Sequence, residues 1–504
     1  MLYSVKQIRQ IETRAAQQLE PATLMHNVGQ AAAQAAVRLL AAPNQPILVV
    51  AGPGNNGGDA FEAAVHLAHA GHQISVLHYP PKSSRSADSA QAFDKAKACS
   101  DIIWLAEDVE LENSFALVID GLFGIGLAKH SVAASIQNHI AQINAMTCPI
   151  LAIDVPSGLD ADTGTLVNDI AIRASHTITF IGDKTGLHTG DGRDYAGLVQ
   201  VADLGIAAQL FPASEMELNR PKLFPTIFKS RLQNSNKGSN GSTVLIGGAL
   251  GMQGALLLAS RTALYSGAGR VFASFIEAAP NYDALHPEIM CSLALQLNLK
   301  ADQVVVIGPG LGNSIASFEL VSRALLATNL LVVDADALNL MAQQPALIAL
   351  CNGRDPATTL LTPHPLEAAR LLACTVEQIQ ADRIGAAKKL ARRFSSVVIL
   401  KGSGSIIARP DGHIVINPTG NAALATGGTG DVLSGACGGL IAQHRDVWQA
   451  ALAATYLHGA SADALVARGI GPVGLSAGEL IPEIRHQLNA TGLAMRDLNV
   501  LKPK

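Results

Sequence analysis

Short apolar runs that end on glycine or aspartate recur early in the chain: ILVVAGPG at 47–54, ALVIDGLFG at 116–124 and ILAIDVPSG at 150–158. Runs of this length, rich in Val and Ile and closed by a turn residue, read as buried parallel strands. Helix-length, alanine-rich segments lie between them, from Ala60 to Ala70 and from Val132 to Asn144. Strand then helix, repeated, predicts an open doubly wound sheet with ligands at the carboxyl ends of its strands. From about Phe211 to Ser242 the alternation gives way to prolines, polar residues and glycines, which places a domain boundary near residue 225. It restarts with TVLIGG at 243–248, QVVVIGPGLG at 303–312, LLVVDADALN at 330–339 and SVVILKGSG at 396–404. Two alternating runs around Asp411-Gly412, within SIIARPDGHIVI at 405–416, predict a β-hairpin and so an antiparallel part in the second sheet. The expected class is α/β in two domains, residues 1–220 and 225–504.

Composition supports this. The 504 residues are too many for one core, and a balance of 49% hydrophobic to 15% charged residues is that of a packed globular enzyme. Aromatics make up only 4%, so Ala, Val, Leu and Ile with 46 glycines must fill the core, as close helix-on-sheet packing requires. A net charge of -4 without a long Lys/Arg run argues against nucleic acid as a partner, so any phosphate recognition must be local. Cys99, Cys148, Cys291, Cys351, Cys374 and Cys437 form no CxxC pair, which speaks against a disulfide framework or a thiolate zinc site and for a reducing, cytoplasmic setting. Charges interrupt every apolar stretch of MLYSVKQIRQIETRAAQQ, so no signal peptide is expected there. No segment offers the ~20 uninterrupted apolar residues of a membrane span.

Three strand ends of the first half carry polar groups. Gly52-Pro53-Gly54-Asn55-Asn56-Gly57-Gly58-Asp59 sits between a strand and a helix, where bare amides suit a phosphate and side-chain oxygens suit a hard cation. A turn required only by packing is the plain alternative. Asp120 and Asp154 end two further strands, the latter leading into Pro156-Ser157-Gly158-Leu159-Asp160. Each alone reads as a cap or turn former, but three such ends in one sheet can converge on a ligand.

GPGNNGGDA, DGLFGIGL, AIDVPSGLDADTG and FIGDKTGL follow in order a pattern that resembles the NAD(P)H-hydrate epimerase family over residues 1–210. The resemblance implies a Rossmann-like fold and a site for the hydrated nicotinamide nucleotide. Asn55, Asn56, Gly57, Gly58 and Asp59 would bind it, together with Asp154 and the loop Gly124, Ile125, Gly126, Leu127, Ala128, Lys129 and His130. It also implies a potassium ion on Asn56, Asp120 and Ser157. Asp154 is the first candidate for the acid/base that inverts C6 of the ring, and Lys184 the second. Three positions depart from the family pattern: Ala60, Ile125 and His26 stand where Gly, Thr and Glu are usual. Ala60 should be tolerated, whereas Ile125 removes a hydroxyl from a ligand loop.

In the second half, NAALATGGTGDVLSG places Gly427-Gly428-Thr429-Gly430-Asp431 directly before an apolar helix. Successive amides at a helix start can hold the charge of a moving phosphoryl group, and Asp431 lies where a base could take a proton from an attacking hydroxyl. The bland reading is a glycine-rich cap. Lys401-Gly402-Ser403-Gly404-Ser405, at a strand end, could contact a nucleotide or simply turn. His364, framed by Pro363 and Pro365, could be a positioned ligand contact or a structural hydrogen-bonder, and Asp334 with Asp336 could meet a cation or cap a helix.

KGSNGSTVLIGG, GMQGA, VIGPGLG, VVDADALN, LTPHPLEAARLL, VVILKGSG and GNAALATGGTGDVLSG together resemble, over about residues 225–490, the ADP- or ATP-dependent NAD(P)H-hydrate dehydratase family, which is ribokinase-like. That resemblance implies that Ala255, Gly310, Gly312, His364 and Asp431 contact the hydrate, and that Lys401, Gly402, Ser403, Gly404, Ser405 and Gly430 contact the AMP part of the nucleotide. Magnesium would accompany the nucleotide phosphates. Phosphorylating the C6 hydroxyl turns a poor leaving group into a good one, and elimination then restores the ring. The partners expected are small molecules, NADH and NADPH hydrates and ADP or ATP, in a homo-oligomer. Two rivals remain: a small-molecule kinase beside a sheet that no longer catalyses, and a first domain that only binds nucleotide as an interaction module. A dehydrogenase is disfavoured, because the first glycine loop lacks the GxGxxG order.

Overall fold

From Ile47 onward every residue of the strand Pro46–Ala51 is buried, and the same holds for all of Leu117–Gly121 and Ile150–Ile153. Such strands need helices on both faces, and the sequence between them supplies those helices. The computed structural model describes residues 1–82, 84–126 and 133–500, the side chains of 496–500 excepted. It divides into two compact units, Met1–Met216 and Glu217–Lys504. The division falls ahead of the proline-rich stretch near residue 225, and the reason is apolar. Turns at Pro221–Leu223 and Pro225–Phe228 bury Phe224, Ile227 and Phe228 in the second unit's core.

The first unit is a seven-stranded parallel sheet in the order Ile102–Leu105, Gln73–His78, Pro46–Ala51, Leu117–Gly121, Ile150–Ile153, His176–Phe180 and Leu198–Ala202. The chain builds outward one way from Pro46–Ala51 and then returns to build the other way from Leu117–Gly121. That reversal is the switch point of a Rossmann-like sheet, where diverging connections leave a crevice. Backbones meet closely there: a Cβ on Gly52 would stand 1.7 Å from the Leu122 carbonyl oxygen. A short parallel pairing of Leu2–Tyr3 with Asp183–Lys184 ties the N-terminus to the site.

The second unit has a ten-stranded sheet. Its order is Met216–Leu218, Ile414–Ile416, Ile406–Ala408, Val397–Leu400, Thr359–Leu361, Leu330–Val333, Gln303–Ile307, Ser242–Gly247, Arg270–Phe275 and Met290–Leu293. Strands from Val397–Leu400 to Met290–Leu293 are parallel. The hairpin pairs antiparallel, with Ile407 opposite both Ile399 and Val415, as the Asp411-Gly412 turn predicts. The helix Thr429–His444 is buried along most of its length and packs on Gln253–Tyr265. Small residues let it sink that far: a Cβ on Gly435 would lie 2.1 Å from the Ala259 carbonyl oxygen. Among the described residues no helix is long and apolar enough to cross a membrane, and all six cysteines are free thiols.

Gly435→Ala should therefore overpack this helix contact and cost about 1–3 kcal/mol or more. Urea unfolding of the second unit, followed through Trp448 in a Trp104→Phe background, should show the lowered midpoint.

Candidate active sites

The first site forms at the sheet's switch point. The chain leaves Pro46–Ala51 and enters the helix Asn55–His69 with Gly54 as its cap. A Cβ on Gly54 would meet nothing within 4 Å, so this glycine faces open space. Gly57 is a packing glycine instead, since its Cβ would stand 2.0 Å from the Gly52 carbonyl oxygen. Asn55 Oδ1 accepts from the Ser86 hydroxyl at 2.7 Å, whereas Asn56 is buried and its Nδ2 finds no partner among the described residues.

Asp120, fully buried, ends the adjacent strand. Its Oδ1 accepts from the Ser157 hydroxyl at 2.5 Å and its Oδ2 from the Ser157 amide at 2.8 Å. Burial pushes this carboxyl up to about 6, against the opposing pull of the Ser157 hydrogen bonds. Asp154 follows the next strand with φ 68°, a left-handed conformation that costs an aspartate roughly 1–3 kcal/mol. Its Oδ1 lies 2.8 Å from Lys184 Nζ, and its Oδ2 accepts from the Ile125 amide at 3.4 Å. Lys184 is fully buried and also donates to Thr179 Oγ1 at 2.6 Å and towards the Phe180 and Gly182 carbonyls, both at 3.2 Å. Four acceptors thus surround its three protons, and Asp154 is the carboxylate among them.

Asp59, one turn into the helix, is pushed well up by burial and by the carboxylates of Asp154, Glu12 and Glu62. Glu12 is raised as well, by burial first and then by Asp154. A carboxylate anchored by an ammonium beside one whose pKa is raised is an arrangement for moving protons.

The second site gathers at three neighbouring strand ends. Leu330–Val333 leads to Asp334, Thr359–Leu361 to His364, and Val397–Leu400 to Lys401. Lys401 Nζ lies 2.9 Å from Asp334 Oδ1 and 4.0 Å from Glu367 Oε2. Burial works against its charge, yet the carboxylates of Asp334, Glu367 and Asp431 more than offset that and hold the ammonium above its ordinary value. Asp334 precedes the helix Ala335–Gln343 without capping it, so its side chain serves Lys401. Asp336 Oδ2 accepts from the Gly312 amide at 2.8 Å.

His364 caps the helix Pro365–Leu372: its Nδ1 accepts from the Leu366 and Glu367 amides at 3.1 and 3.4 Å, and its Nε2 stands 3.2 Å from Glu367 Oε1. Burial, then the Lys401 charge, pushes its pKa down. Burial in turn pushes Glu367 up. Asp431, in the first turn of Thr429–His444, is pushed from 3.8 up to about 7 by burial and by Asp334, with Lys401 pulling the other way. First-turn amides have no carbonyl of their own helix to pair with. A Cβ on Gly427 would meet nothing within 4 Å, and one on Gly430 only the Lys401 ammonium at 3.3 Å. The helix start is open, charged and poised near neutrality.

Residues 243–484 match the NAD(P)H-hydrate dehydratase family, and residues 21–186 match the YjeF-related protein N-terminus. The bifunctional NAD(P)H-hydrate repair enzyme Nnr of Coxiella burnetii is 36% identical over 97% of this chain and 99% of its own length. That of Escherichia coli K12 is 36% identical over 88% of this chain and 85% of its own. This chain belongs to the bifunctional NAD(P)H-hydrate repair enzyme family. The crystal structure of the ADP/ATP-dependent NAD(P)H-hydrate dehydratase from Bacillus subtilis, co-crystallised with ATP/Mg2+, is 30% identical and covers 56% of this chain and 100% of that one, with a TM-score of 0.47.

In this member of the repair enzyme family, Asn56, Gly124 and Asp154 come together: a Cβ on Gly124 would stand 3.2 Å from Asn56 Oδ1 and 3.1 Å from Asp154 Oδ2. Ile125 meets Asp154 through its amide, while its side chain packs on apolar neighbours. Leu127, Ala128, Lys129 and His130 lie outside the described residues. Ala60 is fully buried against Gly121. In the second site Ala255 borders Gly310, whose φ is 57°, and Gly312 is tied to Asp336. The loop Lys401 to Ser405 arches over Arg383, whose guanidinium lies where a Cβ on Gly402 would approach within 2.7 Å.

Sequence reasoning passed over Glu12, Glu367 and Arg383. Glu367 had a legible signal, because His364-Pro365-Leu366-Glu367 has the spacing of a capping box. So did the helix bearing Glu12, where Ser4 and Gln7 cap its start reciprocally. Arg383 had none.

Asp431 should cost the second unit stability as pH rises from about 4 to about 7. The unfolded state ionises first and the folded state holds the proton longer, so the folded state loses ground across that window. Asp431→Asn should raise the urea midpoint at about pH 8 and leave it unchanged near pH 4.

Proposed function

We propose that the chain repairs hydrated NADH and NADPH: the first unit interconverts the C6 epimers, and the second dehydrates one of them at the expense of ADP or ATP. The observation that carries the dehydratase reading is Asp431, pushed up to about 7 at an open helix start beside Lys401. A base so tuned can take the proton from the C6 hydroxyl at neutral pH as that oxygen attacks the terminal phosphoryl group of the nucleotide. The amides of Gly428 and Gly430 would stabilise the moving phosphoryl group. The C6–O bond then breaks with phosphate as the leaving group, and loss of the C5 proton regenerates the ring double bond. Ala255, Gly310 and Gly312 would shape the hydrate pocket. The Lys401 to Ser405 loop would present its backbone to the AMP part, with the Lys401 ammonium itself committed to the carboxylates.

Magnesium suits this site, because Asp334, Asp336, Glu367 and Asp431 outnumber the one ammonium among them. Asp336 would help to hold it, with Asp334 kept by Lys401 and Glu367 by His364. When bound it supplies charge neutralisation for the nucleotide phosphates.

In the first unit Asp154, fixed by Lys184, would act as base and Asp59, whose pKa burial raises, as the proton donor on the hydrated ring. Asn55, Gly57, Gly58 and the loop from Gly124 would hold the nucleotide. Potassium suits Asn56, Asp120 and Ser157 by their donor chemistry, since the oxygens of Asp120 and Ser157 already meet and the Asn56 Oδ1 faces Gly124 in the same crevice. When bound it supplies a positive charge near the substrate phosphates.

Separated epimers of hydrated NADH test the reading. Asp431→Asn should lower nucleotide-dependent recovery of reduced-nicotinamide absorbance by about 10²–10⁴-fold and spare epimerisation. Asp154→Asn should do the reverse. A stable phosphorylated alcohol in place of released phosphate would favour the kinase reading. For wild type, kcat/KM of dehydration should rise with pH and level off above about 7, because the base must be ionised.

A further inference from the structure

Outside the residues assigned to either site, two helices of the first unit bring together a set of metal-binding side chains. Glu62 and His66 are four residues apart on Asn55–His69 and so share one face. His26 stands on Thr23–Leu39, which crosses that face at close range. Gly29 makes the approach possible, since a Cβ there would lie 2.3 Å from the Glu62 Cβ. One turn before Gly29, His26 comes down over the pair. One donor atom from each of His26, Glu62 and His66 falls within 4.8 Å of the others. The His26 Nδ1 to Glu62 Oε2 separation is 3.5 Å, close to the ~3.4 Å between tetrahedral donors whose bonds to zinc are about 2.0–2.1 Å.

Two details point to a ligand. The Nε2 of His66 is buried without a hydrogen-bond partner among the described residues, a defect that a metal bond would remove. Glu62 is already oriented, because its Oε1 accepts from Lys95 Nζ at 2.6 Å and leaves Oε2 turned to His26. Burial and the neighbouring His26 hold His66 below its ordinary pKa, in the neutral form that binds metals. His26 is half exposed, which gives an ion a path in and room for water on its open side.

We propose that His26, Glu62 and His66 form a binding site for a divalent transition-metal ion of the zinc class, which clamps the helix Thr23–Leu39 to Asn55–His69. Two imidazoles and one carboxylate suit zinc, cobalt or nickel and disfavour magnesium or calcium. The Lys95 ammonium opposes the incoming charge and so limits affinity.

Tag-free, chelator-treated full-length protein is titrated with zinc ion in a calorimeter and, separately, with cobalt ion under visible absorbance. Wild type should bind one equivalent, gain the d–d bands of a cobalt site with nitrogen and oxygen donors, and unfold at a higher temperature with zinc. His26→Ala and His66→Ala should each weaken that binding at least about tenfold and lose the bands. His26→Gln, at a half-exposed position, checks the loss in a variant of nearly the same shape, with circular dichroism confirming its fold. Lys95→Met should bind more tightly. Equal affinity and spectra in wild type and both alanine variants, or no zinc binding by wild type, would overturn the proposal.

Discussion

A buried ammonium needs a carboxylate to offset its lost hydration, and each half of the molecule is organised around one such pair. Lys184 is sealed beneath Asp154, and Lys401 lies against Asp334. Either partner left alone would be an uncompensated charge in a low-dielectric interior, at a cost of about 3–5 kcal/mol. The pairing therefore fixes where each chain segment must run. It ties Asp183–Lys184 to the end of Ile150–Ile153 in the first unit, and three parallel strand ends to one another in the second.

The same constraint sets the proton states. Each lysine has one dominant partner, so a second carboxylate nearby is buried with less compensation. In the first unit that is Asp59, raised by burial and by Asp154; in the second it is Asp431, raised by burial and by Asp334. Low dielectric, one cation and an excess of carboxylates thus leave a lysine-paired carboxylate beside one whose pKa is raised, without further machinery. Backbone strain sits at the same strand ends, with Asp154 at φ 68° and Ala335, the residue after Asp334, at φ 48°. Buried charge and strained backbone both reduce stability, and the close packing behind them, such as Gly435 against Ala259, holds them in place.

The alternation of short apolar runs with helical segments was enough to read two α/β units and the hairpin. That pattern reports burial on both faces of a strand, a property of local sequence. Asp120, Asp154, Asp334 and Lys401 were legible for a related reason, since a polar residue closing an apolar run must lie at a strand end. The start of the second unit's core was not legible: prolines and polar residues around 211–242 look like a linker, yet Phe224, Ile227 and Phe228 are core residues of the second unit. Turns with buried aromatics and turns in a linker have the same local chemistry, and only their packing separates them.

Sequence by itself determined the family, the two-part organisation and which strand ends carry charge, because these depend on residue type and order. Tertiary structure decided which charge meets which. It made Asp334, left open by the sequence between a cation contact and a helix cap, the partner of Lys401, placed Lys184 behind Asp154, and gave both ring nitrogens of His364 to its own helix. It also brought Glu12 towards Asp154 and His26 to Glu62 and His66. Coulomb and desolvation energies depend on distance and burial across the fold, and neither is encoded at the position of any single residue.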